Sequence, residues 1–512
     1  MTFRAAFFRK IAFLVVIALL LLPLFWLGQP ATVAARGVRG GPGGILAQLR
    51  TQFGLSEAEL GEIDPTSEAM RLTTLGLRGV AANILWTKAD IYKMKKDWTN
   101  LSATLEQLVR LEPHFISVWR FQAWNLSYNV SAEFDDYRKR YEWVIRGIEF
   151  LKKGVRYNER EPKLYWDVGW FTAQKIGRAD EWKQFRRLFK QDDDFHGPRP
   201  LEERDNWLVG KEWFARGEQL VEQGATLRGI SPLLFFSDRP MCQMNYSEFL
   251  AKDGIFGERA KQSWERALQE WLEYGDREFP TYEGGTIRLN DKERFDALAA
   301  EIWNKLEELA PGLREKIEKE KRARLRPEEL RALETPPEER TPEQQGLAFE
   351  ATRKIHVTHR EVAQRITGRH RQEALKLADE AEKALQMSSK IDQQRTIVNF
   401  EYWRMRARFE QTPQAIEARE YIYLGDEAFR AADLTRAKEY YDKGLAKWRE
   451  LLDLPDFPQL KHDGNTGREL IDIIRNYQRI LDARDEPWPR PFILQDIIDL
   501  HKDRVPDFQP PG

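Results

Sequence analysis

Residues Glu258–Glu273 (ERAKQSWERALQEWLE) and Thr435–Glu450 (TRAKEYYDKGLAKWRE) align without a gap at an offset of 177. Identities fall at 259/436, 260/437, 261/438, 268/445, 271/448 and 273/450. Self-similarity on this scale marks a repeated supersecondary unit rather than one closed domain. Two charged amphipathic helices also match through shared composition alone, so the pair directs the reading toward helical repeats without fixing their number.

A chain of 512 residues exceeds one ordinary core, which leaves several helical domains or one elongated array. The 81 basic and 82 acidic residues give a net charge of −1 and no global field that favours nucleic acid. One cysteine, Cys242, excludes an intrachain disulfide framework and a cysteine-based zinc site. Ten of the 17 tryptophans lie between Trp86 and Trp213, where rings of that size fill a core or an interface.

Arg4, Arg9 and Lys10 precede the uncharged run Ile11–Leu27 (IAFLVVIALLLLPLFWL). Its 17 residues reach roughly 25 Å as a helix, near the lower limit for crossing the hydrocarbon core. The basic residues before it, against Arg36 and Arg39 after it, place the N-terminus in the cytoplasm and the body outside the membrane. An uncleaved signal anchor is favoured by the length of the run and by Trp26 at its outer end. A cleaved signal peptide competes, because Val33 and Ala35 supply a small-residue cleavage pattern.

The expected organisation is a cytoplasmic segment 1–10, a transmembrane anchor 11–27 and a flexible Gly/Pro/Ala-rich spacer 28–50. An N-terminal helical array follows over 51–215, with start signals at Ile63–Glu68 and helical steps at Leu77, Ala81, Ile84, Leu85 and Lys88 that gather most apolar side chains on one stripe. A loop is expected at Gln191–Arg204 within that array, and an irregular helical middle region covers 216–312, with loops expected at Ser231–Pro240 and Phe279–Leu289. Residues 313–345, charge-dense and broken by four prolines, read as an exposed linker or helical insertion. A C-terminal helical array spans 346–486, and a proline-rich tail spans 487–512.

The stretch 418–451 resembles the tetratricopeptide repeat, a 34-residue helix–turn–helix unit. Leu424 and Gly425 stand at its Leu-Gly pair, Ala437 and Gly444 at small contact positions, and Tyr441 at the aromatic position. Small residues there let two helices pack closely. Arg449 stands where the unit's proline belongs. Trp98, Leu105, Pro113 and Trp119 have repeat-like spacing, but Leu101 and Leu108 are bulky where alanine is usual, and Glu248 replaces the glycine in the earlier copy. The resemblance implies an all-α, tetratricopeptide-like solenoid of degenerate helix pairs after one N-terminal transmembrane helix.

Asp192-Asp193-Asp194-Phe195-His196 offers oxygen and imidazole ligands, yet it has no EF-hand spacing and reads as an acidic helix cap. His356 and His359, with His370 beyond, are read on one helix but lack the H-E-x-x-H zinc pattern. The basic and aromatic run Tyr137–Arg160 is balanced by Glu142, Glu149, Glu159 and Glu161 and reads as a solvated face. No metal or cofactor is expected. Trp119, Trp124, Trp143, Trp166 and Trp170 form the candidate partner-binding surface.

No phosphate loop, nucleophile elbow or haem motif occurs in the sequence. The expectation is therefore a non-enzymatic, membrane-anchored extracytoplasmic scaffold for protein partners in a bacterial envelope complex, with nucleic acid not expected as a partner. An envelope hydrolase of lytic-transglycosylase-like helical architecture is the alternative; it requires an acid–base carboxyl that the sequence does not single out.

Overall fold

A computed structural model describes residues 3–27, 44, 45, 48, 49, 78–281 and 283–502. The expected spacer, apart from four of its residues, lies outside them, as do the start signals at Ile63–Glu68, Leu77 and the last ten residues of the tail. The chain divides into two compact units, Met1–Ala267 with Ile416–Arg449 and Gly467–Gly512, and Leu268–Ala415 with Glu450–Thr466. The described residues are mostly helical, which bears out the all-α class.

The first unit begins with α1 (Phe3–Leu27), interrupted in sequence by Pro23. It continues through α2 (Arg78–Met94), α3 (Trp98–Leu111), α4 (Ile116–Trp124), α5 (Tyr137–Tyr157), α6 (Pro162–Trp170), α7 (Trp182–Gln191), α8 (Asn206–Glu222) and α9 (Pro232–Lys252). Aspartates set several starts: Asp97, Asp136 and Asp205 each accept backbone N–H bonds at the first turns of α3, α5 and α8. Pro162 and Pro232 occupy first-turn positions of α6 and α9, where a missing N–H costs nothing. The expected loop at Ser231–Pro240 is thus a helix; Pro232 starts it and Pro240 lies buried inside it.

Neighbours in sequence pack on one another, α2 on α3, α4 on α5 and α8 on α9, while α6 packs on α8 past the intervening α7. The starts of α4, α6 and α8 are 46 and 44 residues apart, longer than a 34-residue unit. The repeat-like stretch Trp98–Trp119 runs from the helix Trp98–Leu111 past Pro113 into the start of α4. The stripe expected on α2 is also turned: Ala89 enters the core with Leu85 and Trp86 packed against it, while Ile84 is 53% exposed.

The division between units falls inside α10 (Gly257–Gly275). The second unit holds a hairpin, β1 (Phe279–Pro280) antiparallel to β2 (Thr286–Ile287), whose turn uses positive φ at Gly284 and Gly285. Then follow α11 (Lys292–Leu309), α12 (Leu313–Arg322), α13 (Pro327–Glu334), α14 (Pro342–Ile355), α15 (His359–Arg365), α16 (Arg371–Ile397) and α17 (Phe400–Glu410). Ala374, Ala378 and Ala381 line one face of α16 and let it lie close to Ile302 and Leu306 of α11. Residues 313–345, read as an exposed linker or helical insertion, are helical in α12, α13 and the start of α14 and largely exposed, with Ile317 entering that core and Glu329 and Ala332 buried.

Helices α18 (Pro413–Arg430), α19 (Leu434–Leu452), α20 (Gly464–Ala483) and α21 (Gln495–His501) complete the described chain. The start of the tail is folded, with Phe492, Leu494, Ile497 and Ile498 buried. Helices α10 and α19 are both 19 residues long and keep the 177-residue offset at both ends. Ala260, Trp264, Ala267 and Trp271 of α10 are buried, as are their counterparts Ala437, Tyr441, Gly444 and Trp448 of α19. The matched windows are two helices with one burial pattern.

Candidate functional site

Helices α4 and α6 each end on a tryptophan and pass directly into a π-helical turn, Asn125–Val130 after Trp124 and Phe171–Lys175 after Trp170. Such turns re-phase a helix and recur at functional positions. The first is held by polar side chains facing inward: Asn129 Nδ2 donates to Asn125 Oδ1 at 3.1 Å, and Ser131 Oγ donates to the Ser127 carbonyl at 2.6 Å. Behind the second, Gly169 of α6 and Gly210 of α8 meet backbone to backbone. A Cβ on Gly169 would come within 3.0 Å of the Gly210 carbonyl.

The re-phasing brings four rings into a row. Trp124, 46% exposed, stacks on Tyr128 with centroids 4.0 Å apart and planes at 15°. Tyr128 meets Trp170 at 6.4 Å, and Trp170 lies parallel to Trp166 at 6.4 Å. Tyr128, Trp166 and Trp170 are half-buried. Lys175 from the second π turn stands 4.1 Å from the Tyr128 ring centroid, a cation–π contact. Burial pushes the Lys175 ammonium down and the Tyr128 phenol up to about 12.

Two carboxylates border the row. Asp167 is buried and takes a bidentate pair from Arg120, with Nη2 at 3.1 Å from Oδ1; burial raises it despite the guanidinium. Asp238 of α9 accepts the Trp166 indole N–H at 2.8 Å, and burial pushes it up to about 6. The sequence gives no sign of Asp238, because its partner is 72 residues away.

The five tryptophans expected at a partner surface are therefore separated. Trp119 is a core residue, fully buried, with its N–H donated to the Pro113 carbonyl at 2.7 Å; it is removed from that surface because no face of it reaches solvent. Trp143 sits apart, half-buried on α5 beside Phe134 and under Arg146, whose guanidinium is 4.4 Å from its ring. Trp124, Trp166 and Trp170 come together, and Tyr128 joins them.

In the best-marked helix pair, a Cβ on Gly425 would lie 2.5 Å from the Tyr441 ring, and one on Gly444 would lie 2.7 Å from Ile422 Cδ1. Ala437 and Tyr441 are fully buried, and Leu424 is half-buried. These residues hold α18 and α19 together.

The remaining candidates resolve as structural. Asp192 caps the single turn Asp193–His196 and accepts the Tyr141 hydroxyl at 2.8 Å, while the His196 ring bonds the Phe189 carbonyl. His356 is exposed at the end of α14, whereas His359 begins α15, so they share no helix. His359 is buried, stacked 3.9 Å from Trp303, with Nε2 2.9 Å from the Ala299 carbonyl. Among the described residues no group of three or more His, Cys, Asp or Glu is placed to hold a metal ion. Lys139 and Lys152 of α5 pair with Glu142 and Glu149 along its solvated face. Among the described residues no helix is long and apolar enough to cross a membrane.

The chain matches no known family profile, and no curated protein matches it. Fold and site together define an all-α protein with a partly exposed aromatic row on its first unit.

Proposed function

We propose that the chain is a membrane-anchored, extracytoplasmic scaffold in a bacterial envelope complex, built as a solenoid of degenerate helix pairs. Its partner is a protein, seated on Trp124, Tyr128, Trp170 and Trp166. The observation that carries this reading is the stack of Trp124 on Tyr128: a large ring left 46% exposed, continuous with half-buried aromatics, is the composition of a contact patch. The anchor in this reading is α1, which falls short of the length and apolarity of a full membrane span but leaves Ile11, Phe13, Leu19, Leu22, Phe25 and Trp26 exposed. Its uncharged run of 17 residues is shorter than a comfortable span, so Lys10 and Arg9 would snorkel toward the headgroups.

The test is site-specific photo-crosslinking in intact cells from Trp124, compared with Glu106 on α3. A partner captured from Trp124 and lost in Tyr128→Ala and Trp170→Ala supports the scaffold. Equal capture from both positions removes the aromatic row from the account. Resistance of the full chain to alkaline carbonate extraction tests the anchor separately.

A second reading has one observation behind it. Asp238, raised to about 6 beside the aromatic row, lies nearer neutrality than an ordinary carboxyl, the direction in which a general acid is tuned. That favours the hydrolase alternative on envelope glycans. Glycan release by the purified chain, abolished in Asp238→Asn, would replace the scaffold reading with this one.

A further inference from the structure

We infer that α2 is an interfacial helix that seats the first unit on an anionic lipid bilayer. On a surface helix of a water-soluble unit the outward face is polar. On α2 it is apolar: Val80 is 58% exposed, Ile84 53%, Ile91 40% and Met94 78%. Their 4-, 7- and 3-residue steps, filled by Thr87, form one stripe along the helix. Thr87 turns its hydroxyl back onto the Asn83 carbonyl at 2.9 Å and leaves its methyl on that stripe. The opposite face is already used, with Ala89 buried and Ala82, Leu85, Trp86 and Tyr92 packed on the unit's core.

The charges beside the stripe select the occupant. From Arg78 to Lys96 the chain carries five basic residues (Arg78, Lys88, Lys93, Lys95, Lys96) against one acidic residue, Asp90, a net of +4. By helical angle, Lys88 and Lys95 flank the stripe on one side. Asn83 and Asp90 border the other side, and an apolar face with lysines along one edge and a net positive charge lies in the headgroup region of anionic membranes. Chain connectivity adds to this: residues 28–77, 50 in number, tether α2 to α1. The inference rests on the anchor reading of α1 for that tether, but not for the stripe or its charge.

The experiment uses the full chain in lipid nanodiscs, with a benzophenone side chain at Ile84, at Met94 or at the control position Glu106. With phosphatidylglycerol present, Ile84 and Met94 should give phospholipid adducts roughly fivefold or more above Glu106, and above their own yield in pure phosphatidylcholine. The variant Lys88→Glu/Lys95→Glu/Lys96→Glu should lose that excess while keeping its helical content. Equal adducts at Ile84 and Glu106, no dependence on lipid charge, or crosslinks to a second copy or to residues 28–77 would overturn the inference. Failure to enter nanodiscs counts against α1 alone. The same adducts are then read on phosphatidylglycerol vesicles, where their presence sustains the role of α2 and their absence ends it.

Discussion

Trp166 donates its indole N–H to Asp238 across 2.8 Å, joining the aromatic row on α6 to a carboxyl on α9. Burial raises that carboxyl from 3.8 to about 6. Between about pH 4 and 6 the folded chain therefore holds a proton that the unfolded chain has released, so stability rises as pH falls through this window. Above about pH 6 the full penalty of the buried charge is present. Asp238→Asn keeps an acceptor for Trp166 and removes the charge. It should stabilise the protein by on the order of 2 kcal/mol at pH 7 and by little at pH 4. Urea unfolding at both pH values measures this, and an equal effect at both would show that Asp238 is not held protonated.

Trp119 and Trp124 are five positions apart on one helix and should behave oppositely. Trp119 is fully buried against Phe150 and Tyr157, so Trp119→Ala should cost about 3–5 kcal/mol. Trp124→Ala removes one exposed stack and should cost about 1 kcal/mol or less, while removing the partner crosslink. Chemical denaturation of the two variants checks the contrast. A large loss in Trp124→Ala would make the row a structural feature.

Gly425 and Gly444 face different neighbours across α18 and α19. Alanine normally stabilises a helix interior relative to glycine by about 1 kcal/mol. At Gly425 the new Cβ meets the Tyr441 ring at 2.5 Å, and Tyr441 is fully buried with its hydroxyl bonded to Asp426. Gly425→Ala should therefore destabilise by about 1–3 kcal/mol. At Gly444 the obstacle is the terminal methyl of Ile422, which can rotate away, so Gly444→Ala should be near neutral. Thermal unfolding distinguishes them, and matching melting shifts would contradict this packing.

Those two glycines also show what the sequence made legible. Gly425, Ala437 and Gly444 could be placed at a helix crossing because close approach demands small side chains, and that demand is local. The paired windows likewise became two equivalent helices, because the period of their apolar residues is a property of each segment alone. The inward face of α2 is not legible locally because its apolar residues run round most of the helix, and only the packing of Ala89, Leu85 and Trp86 decides which side is inside. Pro232 and Pro240 suggested a loop, yet proline at a first turn starts a helix rather than ending one. Asp238 and the two π turns left no trace, since each depends on contacts between segments far apart in the chain.

In the second unit, Arg395 is 3% exposed and bridges Glu293, Glu401 and the Leu289 carbonyl, with Arg404 reaching the same two carboxylates. Partial burial pushes Glu293 up, but hydrogen bonds from Arg395 and Arg404 outweigh it and hold the carboxyl at about 2. Glu293 is depressed below its ordinary 4.5, so its contribution is complete above about pH 4.5 and is lost as pH falls toward 2. Arg395→Ala leaves the Leu289 carbonyl without its buried donor and two carboxylates facing each other. Because those carboxylates are half exposed, the cost should be about 2–3 kcal/mol at pH 7, below that of breaking a fully buried pair. Arg395→Lys should recover only part of it, since one ammonium cannot reproduce the planar fork. Acid titration followed by circular dichroism should show the wild-type chain losing stability between pH 4.5 and 2 more steeply than Arg395→Ala. Coincident unfolding curves at pH 7 would mean that the network orders these side chains without stabilising the unit.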